Sequence, residues 1–230
     1  VNPDGVMYNP ASILHTVDRY VDRLETEDAE APSTAVFTLG TNHVYILNET
    51  GEIVDNCRKR PQRLFTEREL TVDECAEYLC RAIGRLRSVN PDVRVVLTVS
   101  PIRYAKYGFH GSQLSKAVLL LAADKVVRGH DMVEYFPAYE IVNDELRDYR
   151  FYREDMLHPS DQAVEYIWQR FGDTYFSEHT RSFLEEWRPV KAALGHRPFN
   201  ADSEEHKEFL RKTMEKADAL KAKYKGFEMP

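Results

Sequence analysis

The chain has 230 residues, enough for one large domain, or a domain with an appendage, around a full core. Apolar residues make up 43% and aromatic residues 11%, an ordinary globular balance, and the net charge of −7 argues against bulk binding to nucleic acid or an anionic membrane, since both need a basic face. No apolar run approaches the roughly 20 residues of a membrane-spanning helix; the longest, Ala117–Ala123, covers little more than one helix face.

The first ten residues hold two Asn-Pro pairs and a glycine, and read as a strand end entering a loop. Ile13, Leu14, Val17, Tyr20, Val21 and Leu24 then recur at helical spacing and predict a helix over 11–24. Residues 25–33 are acidic and broken by proline, a surface loop. The apolar run 35–40, stopped by Gly40, predicts a buried parallel strand with Thr41, Asn42 and His43 just past its end. Residues 44–47 and 52–54 flank Glu49-Thr50-Gly51 as a hairpin, and 56–66 read as basic and irregular. Thr71 to Glu74 spells a capping box that opens a helix to about Val89. Val93–Ser100 is β-branched and nearly all apolar, the clearest strand, and Pro101 ends it. A loop over 102–111 carries Arg103 and His110; Ser112 is placed to cap a helix running to about Val127. Residues 131–136 read as a strand, 140–147 as a short helix, and 161–171, 174–194 and 203–223 as further helices, the last alternating Glu and Lys and packing one thin face.

Alternating strands and helices imply an α/β fold, a three-layer α/β/α sandwich on a parallel sheet over residues 1–172, with a helical C-terminal extension over 173–230. Sites in such sheets lie outside the carboxyl ends of the strands. Gly5, Gly40–Asn42, Ser100-Pro101 and the stretch Arg153–Ser160 all fall at strand ends or on the late loop. The stretch contains Asp155-x-x-His158-Pro159. An aspartate three residues before a histidine can meet Nδ1 of the ring, set its tautomer and support the positive charge that forms when Nε2 takes a proton. The three cysteines (Cys57, Cys75 and Cys80) lack disulfide or zinc spacing, so neither a metal nor a cofactor is expected; reduced thiols suit the cytoplasm.

The words Gly40-Thr-Asn-His-Val-Tyr45, Asn56-Cys-Arg-Lys59, Leu97-Thr-Val-Ser-Pro-Ile-Arg103, Gln113-Leu-Ser-Lys-Ala117, Tyr135-Phe-Pro-Ala-Tyr-Glu140 and Asp148-Tyr-Arg-Phe-Tyr152 leading into Asp155–Ser160 resemble the GSCFA family, over about residues 1–172. That family is similar to a branch of the SGNH, or GDSL-like, hydrolases. The resemblance implies His158 as general base, Asp155 as its orienting carboxylate, and Gly5 and Asn42 as oxyanion donors. The Gly-Ser-Cys-Phe-Ala word that should hold the nucleophilic serine is absent from the printed sequence, and the resemblance places it, with its strand, ahead of Val1.

Each residue also has a plainer reading. Asp155 can be a helix-entry cap with His158 packed on Pro159, Asn42 and Gly5 turn residues, and His43 a loop residue. Arg103 and His110, on one loop, suit a substrate's acidic or sugar hydroxyl groups, or simply form a solvated basic loop; Arg103 and His43 are the substrate-binding candidates. Ser100 precedes proline, which denies it the helix N-terminus a nucleophile uses. The tyrosines at 135, 139, 149 and 152 read as core edge, or as a wall for a sugar. The expected function is therefore a serine carboxylic-ester hydrolase acting on a carbohydrate or small-molecule ester. The alternatives are an acyltransferase with the same triad or a binding module on a hydrolase fold.

Overall fold

A computed structural model describes residues 9–27, 30–196 and 203–224. The segment containing Gly5 lies outside them. The first helix, α1 (Pro10–Glu27), precedes β1 (Thr34–Leu39); α2 (Val72–Arg87) connects onward to β5 (Arg94–Val99), and α3 (Gly108–Gly129) to β6 (Val133–Phe136). These three strands form a parallel sheet in the order β1-β5-β6, in register from Thr34 opposite Arg94 to Leu39 opposite Val99, and from Val95 opposite Val133 to Thr98 opposite Phe136. Among the described residues β1 is therefore an edge, and its Val36 is 47% exposed.

The core explains why β5 is the most apolar stretch. Val95, Leu97 and Val99 join Leu14, Val17 and Val21 of α1, Leu79, Ile83 and Leu86 of α2, and Leu119, Ala122 and Val126 of α3 in one cluster. Val96 and Thr98 point the other way and are buried too, so β5 is covered on both faces, as a central parallel strand must be. The expected α/β/α class with C-terminal helices is the observed one. Thr71 caps α2 as its sequence foretells: its side chain accepts the Glu74 N–H at 3.2 Å, and Glu74 accepts the Thr71 N–H at 2.8 Å.

Three elements differ from expectation. Residues 65–69, read partly as irregular, form β4 (Phe65–Glu69). It pairs antiparallel with β2 (His43–Leu47), which also pairs with β3 (Ile53–Val54). Phe65 is the one buried residue of that strand, so its pattern carries almost no apolar signal and cross-strand pairing decides. Helix α3 begins at Gly108, and Ser112 lies inside it rather than capping it. The short helix after β6 is a turn, α4 (Ala138–Glu140), that widens into a π-helix over Ile141–Leu146 and ends where Arg147 takes a left-handed φ of 42°.

The chain from Trp168 onward, about its last quarter, is a separate compact unit. It holds the end of α5 (Asp161–Tyr175), then α6 (Glu178–Leu194) and α7 (Glu204–Lys223). Trp187 and Val190 of α6 pack with Ala217, Leu220 and Tyr224, while most of α7 stays solvated.

Replacing Thr71 by Ala removes one half of the reciprocal cap and should cost about 1 kcal/mol. Denaturant unfolding should show a lower midpoint with an unchanged slope; an unmoved midpoint would mean the cap contributes nothing.

Candidate functional site

Three loops leave the carboxyl ends of the parallel strands, and the first turns of α3 reach all of them. Ser112 Oγ accepts the Tyr104 N–H at 3.2 Å from the loop after β5. Ser115 Oγ accepts the Asn42 N–H at 3.0 Å and lies 3.3 Å from Thr41 Oγ1, in the loop after β1. Lys116 Nζ donates to the Gly40 carbonyl of the same loop. Gln113 accepts the Tyr139 hydroxyl, just after β6. Ser112, Ser115 and Lys116 occupy the same buried stripe that continues as Leu119, Ala122, Ala123 and Val126. The stripe turns polar where the helix faces loop backbone instead of strands, because that backbone needs partners.

The Asp155–His158 turn is pinched off by its neighbours. Ser160 N–H donates to the Phe151 carbonyl at 2.7 Å, Arg153 N–H to the His158 carbonyl at 2.8 Å, and Met156 N–H to the Arg153 carbonyl at 2.9 Å. Met156 accepts a left-handed φ of 60°, a strained choice for a side chain of its size. The Asp155 carboxylate then collects three N–H groups: Oδ1 accepts from Leu157 at 2.8 Å and from His158 at 3.0 Å, and Oδ2 faces His158 Nδ1 at 2.6 Å. The backbone N–H of His158, then that of Leu157, then the ring, hold the Asp155 carboxyl down at about 2. An ionised carboxylate can only accept, so Nδ1 carries the ring proton and neutral His158 presents Nε2 as a bare acceptor. The His158 side chain is half-exposed.

Arg103 anchors that turn to the sheet. Its backbone N–H donates to the Leu157 carbonyl at 3.0 Å and its guanidinium to the Met156 carbonyl at 3.3 Å. The guanidinium also lies 3.9 Å over the Tyr152 ring. Arg103 lies four residues past the end of β5, in the loop that leaves it, so its bonds tie the Asp155–His158 turn to the loop at the carboxyl end of the central strand.

Asn42 is 1% exposed; its Nδ2 donates to the Leu70 carbonyl at 2.8 Å and its Oδ1 is buried without a partner. His43 sits apart from the turn, in a cluster with the antiparallel sheet. Its ring stacks on Tyr107 at 3.6 Å, with Nδ1 3.5 Å from Glu67, and Glu67 also accepts from Tyr107 and Lys106 at 2.7 Å each. Burial pushes the His43 pKa down. Ser100 is a turn residue: its N–H donates to Leu39 at 2.8 Å and its Oγ accepts from Ile102 at 3.3 Å. Burial raises the Cys57 thiol pKa despite nearby Lys106. Among the described residues no cluster of His, Cys, Asp and Glu could hold a metal ion.

Sequence reasoning missed Ser115, Lys116 and the anchoring role of Arg103. A signal was present for the first two: polar residues on an otherwise apolar helical stripe.

The GSCFA family profile matches residues 25–171, more than half of the chain. The chain belongs to the GSCFA family. The words quoted above from Gly40 to Ser160 all fall within the match; the Gly5 segment falls outside it. A second profile, the C-terminal domain of GSCFA domain proteins, matches residues 187–229 of this GSCFA chain. No curated protein sequence matches it. Similar solved structures include a Clostridium thermocellum family 3 carbohydrate esterase (16% identity, TM-score 0.40). An acetyl esterase mutant with acetate ion (13%, 0.41) and a family 3 carbohydrate esterase from Talaromyces cellulolyticus (16%, 0.41) are similar as well. Each alignment covers 70% of this chain and 65% of the other, so less than two thirds of those structures' length is spanned.

The Asp155 hydrogen bonds set a pH dependence. The folded carboxyl lies at about 2 against an ordinary 3.8, so the turn's stabilisation is complete above the ordinary value and disappears as pH falls through about 2. A carboxyl-carbon NMR titration should give Asp155 a midpoint near 2; a midpoint near 4 would contradict the three bonds.

Proposed function

We propose that this GSCFA protein is a serine carboxylic-ester hydrolase of the SGNH type, working through an acyl-enzyme on an ester of a carbohydrate or another small molecule. The observation that carries the proposal is the Asp155–His158 pair, joined at 2.6 Å through Nδ1 and anchored by Arg103 at the carboxyl end of β5.

In this reading Nε2 of His158 accepts the serine hydroxyl proton as the oxygen attacks the ester carbonyl carbon. The imidazolium is supported by the Asp155 carboxylate, which stays ionised. The carbonyl oxygen becomes an oxyanion, met by the second Nδ2 hydrogen of Asn42 and, from the resemblance, by the Gly5 N–H. Collapse of the intermediate expels the alcohol, which takes the proton from His158. Water, deprotonated by the same nitrogen, then releases the carboxylic acid and restores the serine. The nucleophile is the serine of the family's Gly-Ser-Cys-Phe-Ala word. Arg103 acts through the turn as an anchor, and its remaining N–H groups are available to substrate hydroxyls. His43 serves to seat the 105–107 turn against β2.

The test uses a GSCFA polypeptide that carries the serine word as well as residues 1–230. His158→Ala should abolish hydrolysis of p-nitrophenyl acetate with the fold intact by circular dichroism. Asp155→Asn keeps the turn's backbone bonds but reverses the tautomer, and should lower turnover by about 10³–10⁴-fold. Unchanged turnover in either variant would remove the assignment.

A further inference from the structure

The most unusual side chain in the molecule is Lys116. It is 2% exposed, the largest fully buried side chain, and no carboxylate pairs with it among the described residues. Burial pushes its pKa down to about 7. A methionine would occupy a similar volume without the cost of desolvating an amine. A fold that keeps a lysine there pays for a donor, and that donor is aimed at the Gly40 carbonyl. Gly40 is the first residue past β1, two before Asn42. One residue before Lys116 on α3, Ser115 Oγ accepts the Asn42 N–H at 3.0 Å. The far side of Asn42 is held by Leu70, whose N–H donates to the Asn42 carbonyl at 2.9 Å and whose carbonyl accepts Nδ2 at 2.8 Å.

We propose that Lys116, with Ser115, is the positioning residue of the Gly40–Asn42 turn: its amine holds the Gly40 carbonyl from below and so fixes where the Asn42 side-chain amide points. This rests on the ester-hydrolase reading for its catalytic consequence, but the positioning is a property of the turn itself. The three anchors come from different elements. Lys116 pulls the carbonyl of residue 40 toward α3, Ser115 takes the N–H of residue 42, and Leu70, just ahead of α2, takes the Asn42 carbonyl and one Nδ2 hydrogen, which leaves the second Nδ2 hydrogen for the oxyanion. With the backbone held on both sides of Thr41, the amide cannot swing. In the proposed reaction Asn42 meets charge that exists only transiently, so the loss on disturbing it appears in turnover and not in substrate binding.

Two variants and two readouts test this. Lys116→Met removes the donor and keeps the volume; Lys116→Gln restores a neutral N–H donor. In the serine-bearing polypeptide, Lys116→Met should lower kcat for p-nitrophenyl acetate by about 100-fold with KM nearly unchanged, as expected for a misplaced catalytic group, and Lys116→Gln should recover part of it. Independently of activity, backbone amide exchange in Lys116→Met should accelerate at Asn42 and His43 while α2 and β5 stay protected. Faster exchange at 42–43 in a protein without esterase activity would uphold the positioning and overturn the hydrolase reading. Unchanged exchange at 42–43, or a uniform loss of protection with kcat and KM moving together, would overturn the positioning role.

Discussion

One carboxylate organises the candidate site. Asp155 gathers two backbone N–H groups and one imidazole N–H within four residues, and that local closure turns a proline-bounded loop into a rigid presenter of Nε2. Hydrogen bonds to a charged acceptor are stronger than neutral ones, which offsets the left-handed backbone at Met156. The pair is on the surface, so what recommends it as a candidate is not its burial but where Arg103 pins it. A single residue after β5 links the most buried strand to the most chemically suggestive turn.

The second constraint is the polar end of α3. A helix that packs on a parallel sheet normally ends its buried stripe with apolar residues. Here Ser112, Ser115 and Lys116 carry the stripe past the sheet's edge, where strand ends have given way to loop backbone. Loops after β1 and β5 are thus hung from one helix, and Gln113 adds the loop after β6. The arrangement gives a GSCFA domain a common frame for groups far apart in sequence, and fits the α/β rule that chemistry gathers beyond the strands' carboxyl ends.

Much of this was legible in the residues. The β-branched run at 94–99 and the capping box at 71–74 are local signals, and both stand as read. The Asp-x-x-His spacing is local as well, and its geometry follows from the turn it builds. What the sequence hid depends on partners distant along the chain. The strand 65–69 is defined by pairing with β2, not by its own pattern. Ser112 looks like a cap because its type favours caps, yet its hydroxyl serves Tyr104. Lys116 looks like any surface lysine until the stripe it shares with Leu119 and Ala123 is drawn. The contact of Arg103 with the 153–158 turn spans about fifty residues and no periodicity announces it.

The proposed chemistry turns on the state of one imidazole. Long-range proton–nitrogen NMR of His158, recorded where the ring is uncharged, reports its tautomer directly. A proton on Nδ1, shifted downfield by the bond to Asp155, with Nε2 bare, is the predicted result. A ring protonated on Nε2, or one with no hydrogen-bonded proton on Nδ1, would contradict it.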